Sequence, residues 1–357
     1  MYDIAIIGAG PAGATLARLI GHQYKVLLIE KRRLPDESEG FSAFKCCGGL
    51  LAPDAQMMLS KLGLGLPKSV LVDPQLFVVK SIDLRQGLER YYQRHYINLN
   101  RKKFDSWLLA LVPPNVDIRT NCRLKSYALE NDYFKLAVAH EKRNFVEKAK
   151  ILIGADGAKS KIRAQSSSLN LYPQKYVAIQ EWVERKNDFP YFTSIFDRNL
   201  TDYYCWTIPK GNYLLIGAAL HPQENPAEKF IRLKSKLSAY GMNFGKTVFK
   251  EGSLILRPVK QNQLFTGKKG MALLGEAAGW ISPSSAEGLS YAFRSALILA
   301  DALRSTPDGF ETRYHAKTRQ LRRNIFLKNL KSIVIFNPIL RKMVMNTGLQ
   351  SITVRHH

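Results

Sequence analysis

With 357 residues, 46% of them hydrophobic, the chain is longer than a usual single domain and can bury a sizeable core. Two lobes are expected, and a disordered or fibrous protein is excluded. Lys plus Arg number 53 against 29 Asp plus Glu, a net charge of +24 that attracts anions such as phospholipid surfaces, nucleic acid or phosphorylated substrates.

Residues Tyr2 to Ile7 are apolar and β-branched, as in a strand buried on both faces. Gly8-Ala9-Gly10-Pro11-Ala12-Gly13 follows, then the helix-forming stretch Ala14 to Ile20 and a second apolar strand, Lys25 to Ile29, ending in Glu30. This order suits a bound dinucleotide. Gly8 permits a tight turn, Gly10 lets backbone approach a pyrophosphate, and Gly13 allows close helix–strand packing. The helix start offers unpaired N–H groups to the phosphates, and Glu30 can accept hydrogen bonds from ribose hydroxyls. The alternative is a glycine turn needed only for packing.

Cys46, Cys47, Cys122 and Cys205 are too few and badly spaced for a disulfide scaffold or a zinc site, and no metal is expected. They fit a reducing compartment. No run of 18 apolar residues occurs, and Met1 to Ile7 lacks a signal-peptide layout, so the cytoplasm is the expected location. Val70 to Ile82 and Tyr172 to Gly217 are rich in β-branched and aromatic residues and suggest strands of a second sheet. Phe104 to Val112 suggests a helix stopped by Pro113-Pro114.

Ile151 to Arg163 is an apolar strand running into a polar turn with Asp156, and Met271 to Gly279 repeats that design with Gly275 and Glu276. The small residues Ala277, Ala278 and Gly279 let a planar ring system lie against backbone. Pro283 and Glu287-Gly288-Leu289 lead into the helical pattern Ser290 to Leu303. Gly288 and Leu289 at a helix start can present N–H groups to an anionic ring edge. Asp156 either meets the cofactor or caps the helix that follows it.

Together these segments resemble the FAD-dependent superfamily typified by p-hydroxybenzoate hydroxylase. Phe41 to Leu50, with Cys47-Gly48-Gly49, resembles the Cys-Gly-Gly loop of geranylgeranyl reductases, and Tyr204 to Lys210 resembles their Tyr-x-Trp-x-Phe-Pro signature. Cys46 to Gln56, with Gly275 to Gly279, is most similar to CbrA-type flavoproteins. The resemblance implies an α/β fold: a Rossmann-like FAD-binding domain, a second β-sheet substrate domain and a helical C-terminal region. The implied FAD set is Gly8, Gly10, Pro11, Ala12, Gly13, Glu30, Lys31, Cys47, Gly48, Gly49, Arg101, Asp156, Gly275, Glu276, Ala277, Pro283, Gly288 and Leu289. Tyr204, Trp206 and Pro209 are expected to meet substrate, with plain core as the alternative for the Tyr204–Trp206 pair. Cys46 or Cys47 enters the chemistry or is a small buried hydrophobe, and the sequence does not choose between them. Two departures stand out: Glu276 replaces the usual Asp, and Ile208 the usual Phe.

The expected FAD-binding domain comprises 1–66, 96–168 and 265–305, the substrate domain 67–95 and 169–264, and the C-terminal region 306–357. From Phe310 to His357 ten Lys or Arg face a single acid, Glu311. The apolar residues Leu321, Ile325, Phe326, Leu330, Ile333, Val334, Ile335 and Phe336 do not separate cleanly from the basic ones on a helical wheel. An anionic membrane surface, at the inner face of the cell membrane, and a helical cap with a solvated basic face are both open readings. The expected activity is reduction of carbon–carbon double bonds in an apolar, isoprenoid-like small molecule. A second glycine fingerprint is missing, so NADPH or NADH would bind transiently as donor, or another redox protein would reduce the flavin. Hydroxylation of an aromatic compound is the first alternative. A basic flavoprotein binding or modifying RNA is the second, resting on charge alone.

Overall fold

A computed structural model of the chain describes residues 1–33, 46–141, 143–166, 171–186, 190–304 and 306–354. The chain opens with β1 (Tyr2–Ile7), α1 (Pro11–Ile20) and β2 (Val26–Ile29), followed by β3 (Leu50–Leu51), α2 (Pro53–Lys61), β4 (Leu76–Asp83) and β5 (Leu88–Asn98). Next come α3 (Arg101–Ala110), β6 (Asp117–Arg119), β7 (Cys122–Glu130), β8 (Tyr133–His140), β9 (Arg143–Gly154) and α4 (Lys161–Ser166). Then β10 (Gln174–Arg185), β11 (Phe192–Phe196), β12 (Cys205–Lys210), β13 (Tyr213–Leu220), α5 (Pro226–Ala239) and β14 (Phe244–Arg257). The last elements are β15 (Met271–Leu273), α6 (Leu289–Leu303), α7 (Phe310–Lys317), α8 (Arg319–Phe336) and α9 (Pro338–Thr347).

Two compact units result: Met1–Ala43, Lys102–Gln174 and Leu256–Leu327 form one, and Phe44–Arg101, Lys175–Ile255 and Lys328–His357 the other. In the first, the sheet runs β6-β2-β1-β9-β8-β7, with β15 also paired to β9. Strand β9 serves two ladders. Its first half pairs antiparallel with β8, and its last residues lie parallel to β1 and β15. Ile7 and Leu273 both lie opposite Gly154, so three parallel strands end level. Their side chains are buried on both faces, which explains unbroken apolar runs such as Ile4 to Ile7.

In the second unit the sheet order is β14-β10-β13-β12-β11-β4-β5-β3. It is antiparallel where the register is resolved, except that β11 runs parallel to β4. Helix α5 lays Phe230, Leu233 and Leu237 against Ile216, Ala218 and Leu220, all fully buried. Each such large side chain contributes roughly 1.5–3 kcal/mol by leaving water. The strand expected over Val70 to Ile82 begins only at Leu76, because Lys68–Val70 forms a single tight turn and Pro74 has no N–H for a ladder. The helix expected from Phe104 starts at Arg101 and ends at Ala110, short of Pro113.

The C-terminal stretch is helical, as expected. Helix α8 has a wide apolar arc of which only part is covered: Leu321, Ile325 and Phe336 are buried, while Ile333, Phe326 and Leu330, further round the helix, are exposed. That is why a single amphipathic stripe is not visible in its sequence. Asn337 caps α9, its Oδ1 accepting from the N–H groups of Ile339 (2.9 Å) and Leu340 (3.1 Å).

Candidate functional site

In the first unit, the residues after β1, β9 and β15 leave the sheet side by side at its carboxyl end, where open α/β sheets bind ligands. Gly8 has φ +105°, and a Cβ there would lie 2.5 Å from the Ala155 carbonyl oxygen. A Cβ on Gly13 would fall 1.9 Å from the Gly8 oxygen, so helix and turn touch through backbone alone. Gly10 differs, because nothing lies within 4 Å of where its Cβ would be. It starts α1, with Pro11 next, and no side chain caps the helix. Open space above an uncapped helix start is the cradle a pyrophosphate requires.

Glu30 is buried at the end of β2. Its Oε2 accepts from the Ala9 N–H at 2.8 Å and from Arg32 Nη2 at 3.1 Å, and its Oε1 from Arg32 Nε at 2.9 Å. Burial raises this carboxyl, but the Arg32 guanidinium outweighs it and holds the group below its ordinary range. The expected ribose acceptor thus also fixes the glycine turn. Lys31 beside it is exposed.

Asp156 follows β9. Its Oδ2 accepts from the Lys161 N–H (2.8 Å) at the start of α4, although the cap of that helix is Ser160, whose Oγ accepts from the Arg163 N–H at 3.1 Å. Its Oδ1 is buried without a hydrogen-bond partner, which leaves an acceptor for a ligand hydroxyl. Burial raises this carboxyl against its hydrogen bonds. At Gly275 a Cβ would stand 3.2 Å from Ala12 Cβ, bringing the third loop onto α1. Glu276 is buried, and its Oε1 accepts from the Leu256 N–H at 3.0 Å. Ala277 is buried, and its carbonyl receives Arg163 Nη1 at 3.1 Å. Arg163 is itself fully buried and also bonds the carbonyls of Leu171 and Gln263. Pro283 is buried in the loop before α6, where Ala286 is held in the left-handed region (φ +51°). Gly288 caps α6 ahead of Leu289, and Glu287 takes the N–H of Ser290 at 2.7 Å.

In the second unit, Cys46 is buried with Sγ 3.9 Å from the Ala178 oxygen, whereas Cys47 is half-buried and receives Arg101 Nη1 on its Sγ at 2.8 Å. The two thiols therefore have different surroundings, and Cys47 is the one beside a cation. Residues 41–45, which precede this loop in the resemblance, lie outside the described residues. A Cβ on Gly48 would strike Ile208 Cδ1 at 2.5 Å, and one on Gly49 the Leu99 oxygen at 2.3 Å. Gly49, with φ +62° and backbone in the way, is thus demanded by close approach, whereas at Gly48 the obstacle is a movable side-chain end.

Lys210 holds this loop down. Its ammonium donates to the oxygens of Gly49 (3.1 Å) and Leu99 (3.0 Å) and to Asn98 Oδ1. It is 3% exposed, and burial lowers it from 10.5 to about 7. Asn98 also donates to the Pro209 oxygen at 2.8 Å. Tyr204, just before β12, and Trp206 within it lie with ring centroids 5.4 Å apart, both buried, on one side of the chain. Phe336 stacks on Tyr204, and Gly217 lies directly beneath the Trp206 indole. Burial holds the Tyr204 phenol well above its ordinary value, so it stays protonated. Sequence reading missed Arg32, Asn98, Lys210, Gly217 and Phe336. Lys210 alone carried a signal, a lysine directly after the Trp-x-Ile-Pro stretch.

No family model matches the chain. The glycine cradle, the three aligned loops and the second sheet define the FAD-binding α/β fold of the p-hydroxybenzoate hydroxylase type. Among solved structures, a geranylgeranyl bacteriochlorophyll reductase-like protein from Thermoplasma acidophilum superposes with a TM-score of 0.79 at 20% identity, over 96% of this chain and 90% of that one. The p-nitrophenol 4-monooxygenase PnpA from Pseudomonas putida gives 0.67 at 14% identity, over 99% of both. In sequence, the chain is 41% identical over 355 residues to protein CbrA of Escherichia coli K12, covering 98% of each. The same identity and coverage hold for protein CbrA of Shigella sonnei. The chain belongs to the CbrA family.

Proposed function

We propose that this protein holds FAD by its ADP half on the first unit and reduces carbon–carbon double bonds of an apolar, isoprenoid-like substrate taken by the second. FAD, once reduced by a nicotinamide donor that binds transiently or by another redox protein, supplies hydride. The chain's share is placement. The Gly8–Gly13 turn and the start of α1 bind the pyrophosphate, and Glu30 keeps the turn closed through Ala9 and Arg32. Asp156 offers Oδ1 to a cofactor hydroxyl. Buried Tyr204, Trp206 and Phe336 give an apolar substrate its surface and exclude water.

The observation that carries the reductase reading is the Cys47–Gly49 loop, fixed by Lys210 to the strand that bears Trp206. The test is anaerobic. Purified protein with FAD, a chemical reductant and geranylgeraniol should yield products heavier by one hydrogen molecule per bond reduced. Unchanged alcohol without oxygen, together with substrate-dependent oxygen uptake and labelled oxygen appearing in an aromatic product, would replace the reading by hydroxylation.

A further inference from the structure

Half of the large apolar side chains that stand exposed among the described residues lie in the short stretch from Phe326 to Ile352. In the second unit they form a pattern. Leu330 and Ile333 share one face of α8, and Ile339 and Met343 share one face of α9, with exposures of 48, 60, 71 and 61%. On α9 the opposite face holds the buried Arg341 and Met345, and Phe336 at the end of α8 is buried as well. Arg341 is fastened there by an ion pair with buried Asp83 at 2.7 Å. Helix α9 is thus anchored by one side and shows apolar residues on the other.

The charge around this face is mostly positive. Residues 328–354 contain no Asp or Glu. Lys331 is exposed and lies close to Arg94 and Lys328. Arg94 Nε is buried without a hydrogen-bond partner. Asp54 meets Lys328 at 3.3 Å. Lys342 stands exposed next to Met343.

We infer that the end of α8 and the whole of α9 form a face that docks on an anionic phospholipid bilayer, Leu330, Ile333, Ile339 and Met343 entering the headgroup–acyl boundary and Arg94, Lys328, Lys331 and Lys342 meeting lipid phosphates. A second copy of this chain would cover the apolar residues but set like charges against each other. A nucleic acid would satisfy the cations and leave four large apolar side chains in water. An anionic bilayer satisfies both sets at once. This surface stands apart from the flavin reading and survives if that reading fails.

The experiment is co-sedimentation of the full chain with vesicles of phosphatidylcholine, with and without phosphatidylglycerol. Wild type should pellet with the anionic vesicles and largely remain in solution with the neutral ones. Ile339→Asp with Met343→Asp should weaken binding about tenfold or more, and Lys331→Glu with Lys342→Glu by a similar factor. Circular dichroism and the melting temperature should stay at wild-type values, because the substituted side chains are exposed. The inference is overturned if wild type ignores anionic vesicles. It is overturned equally if the apolar pair binds as well as wild type, which a face for RNA or any polyanion would do. A wild-type dimer that the apolar pair converts to monomer would assign the face to a second copy.

Discussion

Replacing Lys210 by Met tests the account of the second unit most directly. The side chain is 3% exposed, and its recorded acceptors are the neutral oxygens of Gly49, Asn98 and Leu99. Burial favours the neutral amine, and the folded group titrates near 7 rather than at 10.5. Unfolded chain therefore binds the proton more tightly. The destabilisation is full below about pH 7 and is relieved as pH climbs from there towards 10.5. At about 1.4 kcal/mol per pH unit, the full penalty is on the order of 5 kcal/mol, of which about 2 kcal/mol returns between pH 7 and 9. Lys210→Met has no proton to gain, and it costs about 1–3 kcal/mol by stripping donors from buried oxygens. The Gly49 oxygen still accepts the Leu99 N–H at 2.9 Å, which limits that loss. Urea unfolding followed by tryptophan fluorescence at pH 7, 8 and 9 should show the wild type gaining about 2 kcal/mol on the variant across the range. Parallel stability curves would refute the reasoning, because they would mean that Lys210 keeps its proton throughout.

Gly10→Val should fold and melt like the FAD-free wild type yet retain no FAD, since its side chain enters open space where a pyrophosphate would lie; absorbance of the purified protein near the flavin bands checks this. Gly13→Ala should instead fail as a fold, because its methyl would lie 1.9 Å from the Gly8 oxygen, and soluble yield and circular dichroism report it. Arg341→Ala strands the fully buried Asp83 carboxylate and should cost about 3–5 kcal/mol in urea unfolding, with much of it regained when Asp83→Leu is added. Glu30 lies below its ordinary 4.5 when folded, so it stabilises the protein above that pH and the benefit fades as pH falls. Glu30→Gln should therefore lose less stability than wild type between pH 6 and 4, measured by the urea midpoint.

The glycine loops were legible because glycine spacing states a backbone requirement directly. Gly8, Gly13 and Gly275 sit where a Cβ would meet backbone or a helix, and few other residues satisfy such positions. The pair of Tyr204 and Trp206 could be placed on one side of the chain by period alone. Lys210 could not be placed so, since a lysine usually reaches water and its burial depends on acceptors 111 to 161 residues away. Arg32 was hidden for a different reason: its partner Glu30 is only two residues away, and the bond depends on how the chain turns after β2. The C-terminal helices were legible as helices but not as surfaces. Alternation of apolar and basic residues in α8 looked like noise until burial separated the covered part of its apolar arc from the exposed part.

The interleaving of the two units constrains how the protein can be made. Strand β15, which completes the nucleotide sheet, is synthesised after residue 270, and Arg341, the counter-ion of Asp83, later still. A growing chain on the ribosome therefore carries unfinished sheet edges through most of its translation, and neither half can be released as a contiguous fragment. Truncations that remove β15 or α9 leave one unit incomplete even when the glycine turn is intact, and such material is prone to aggregate.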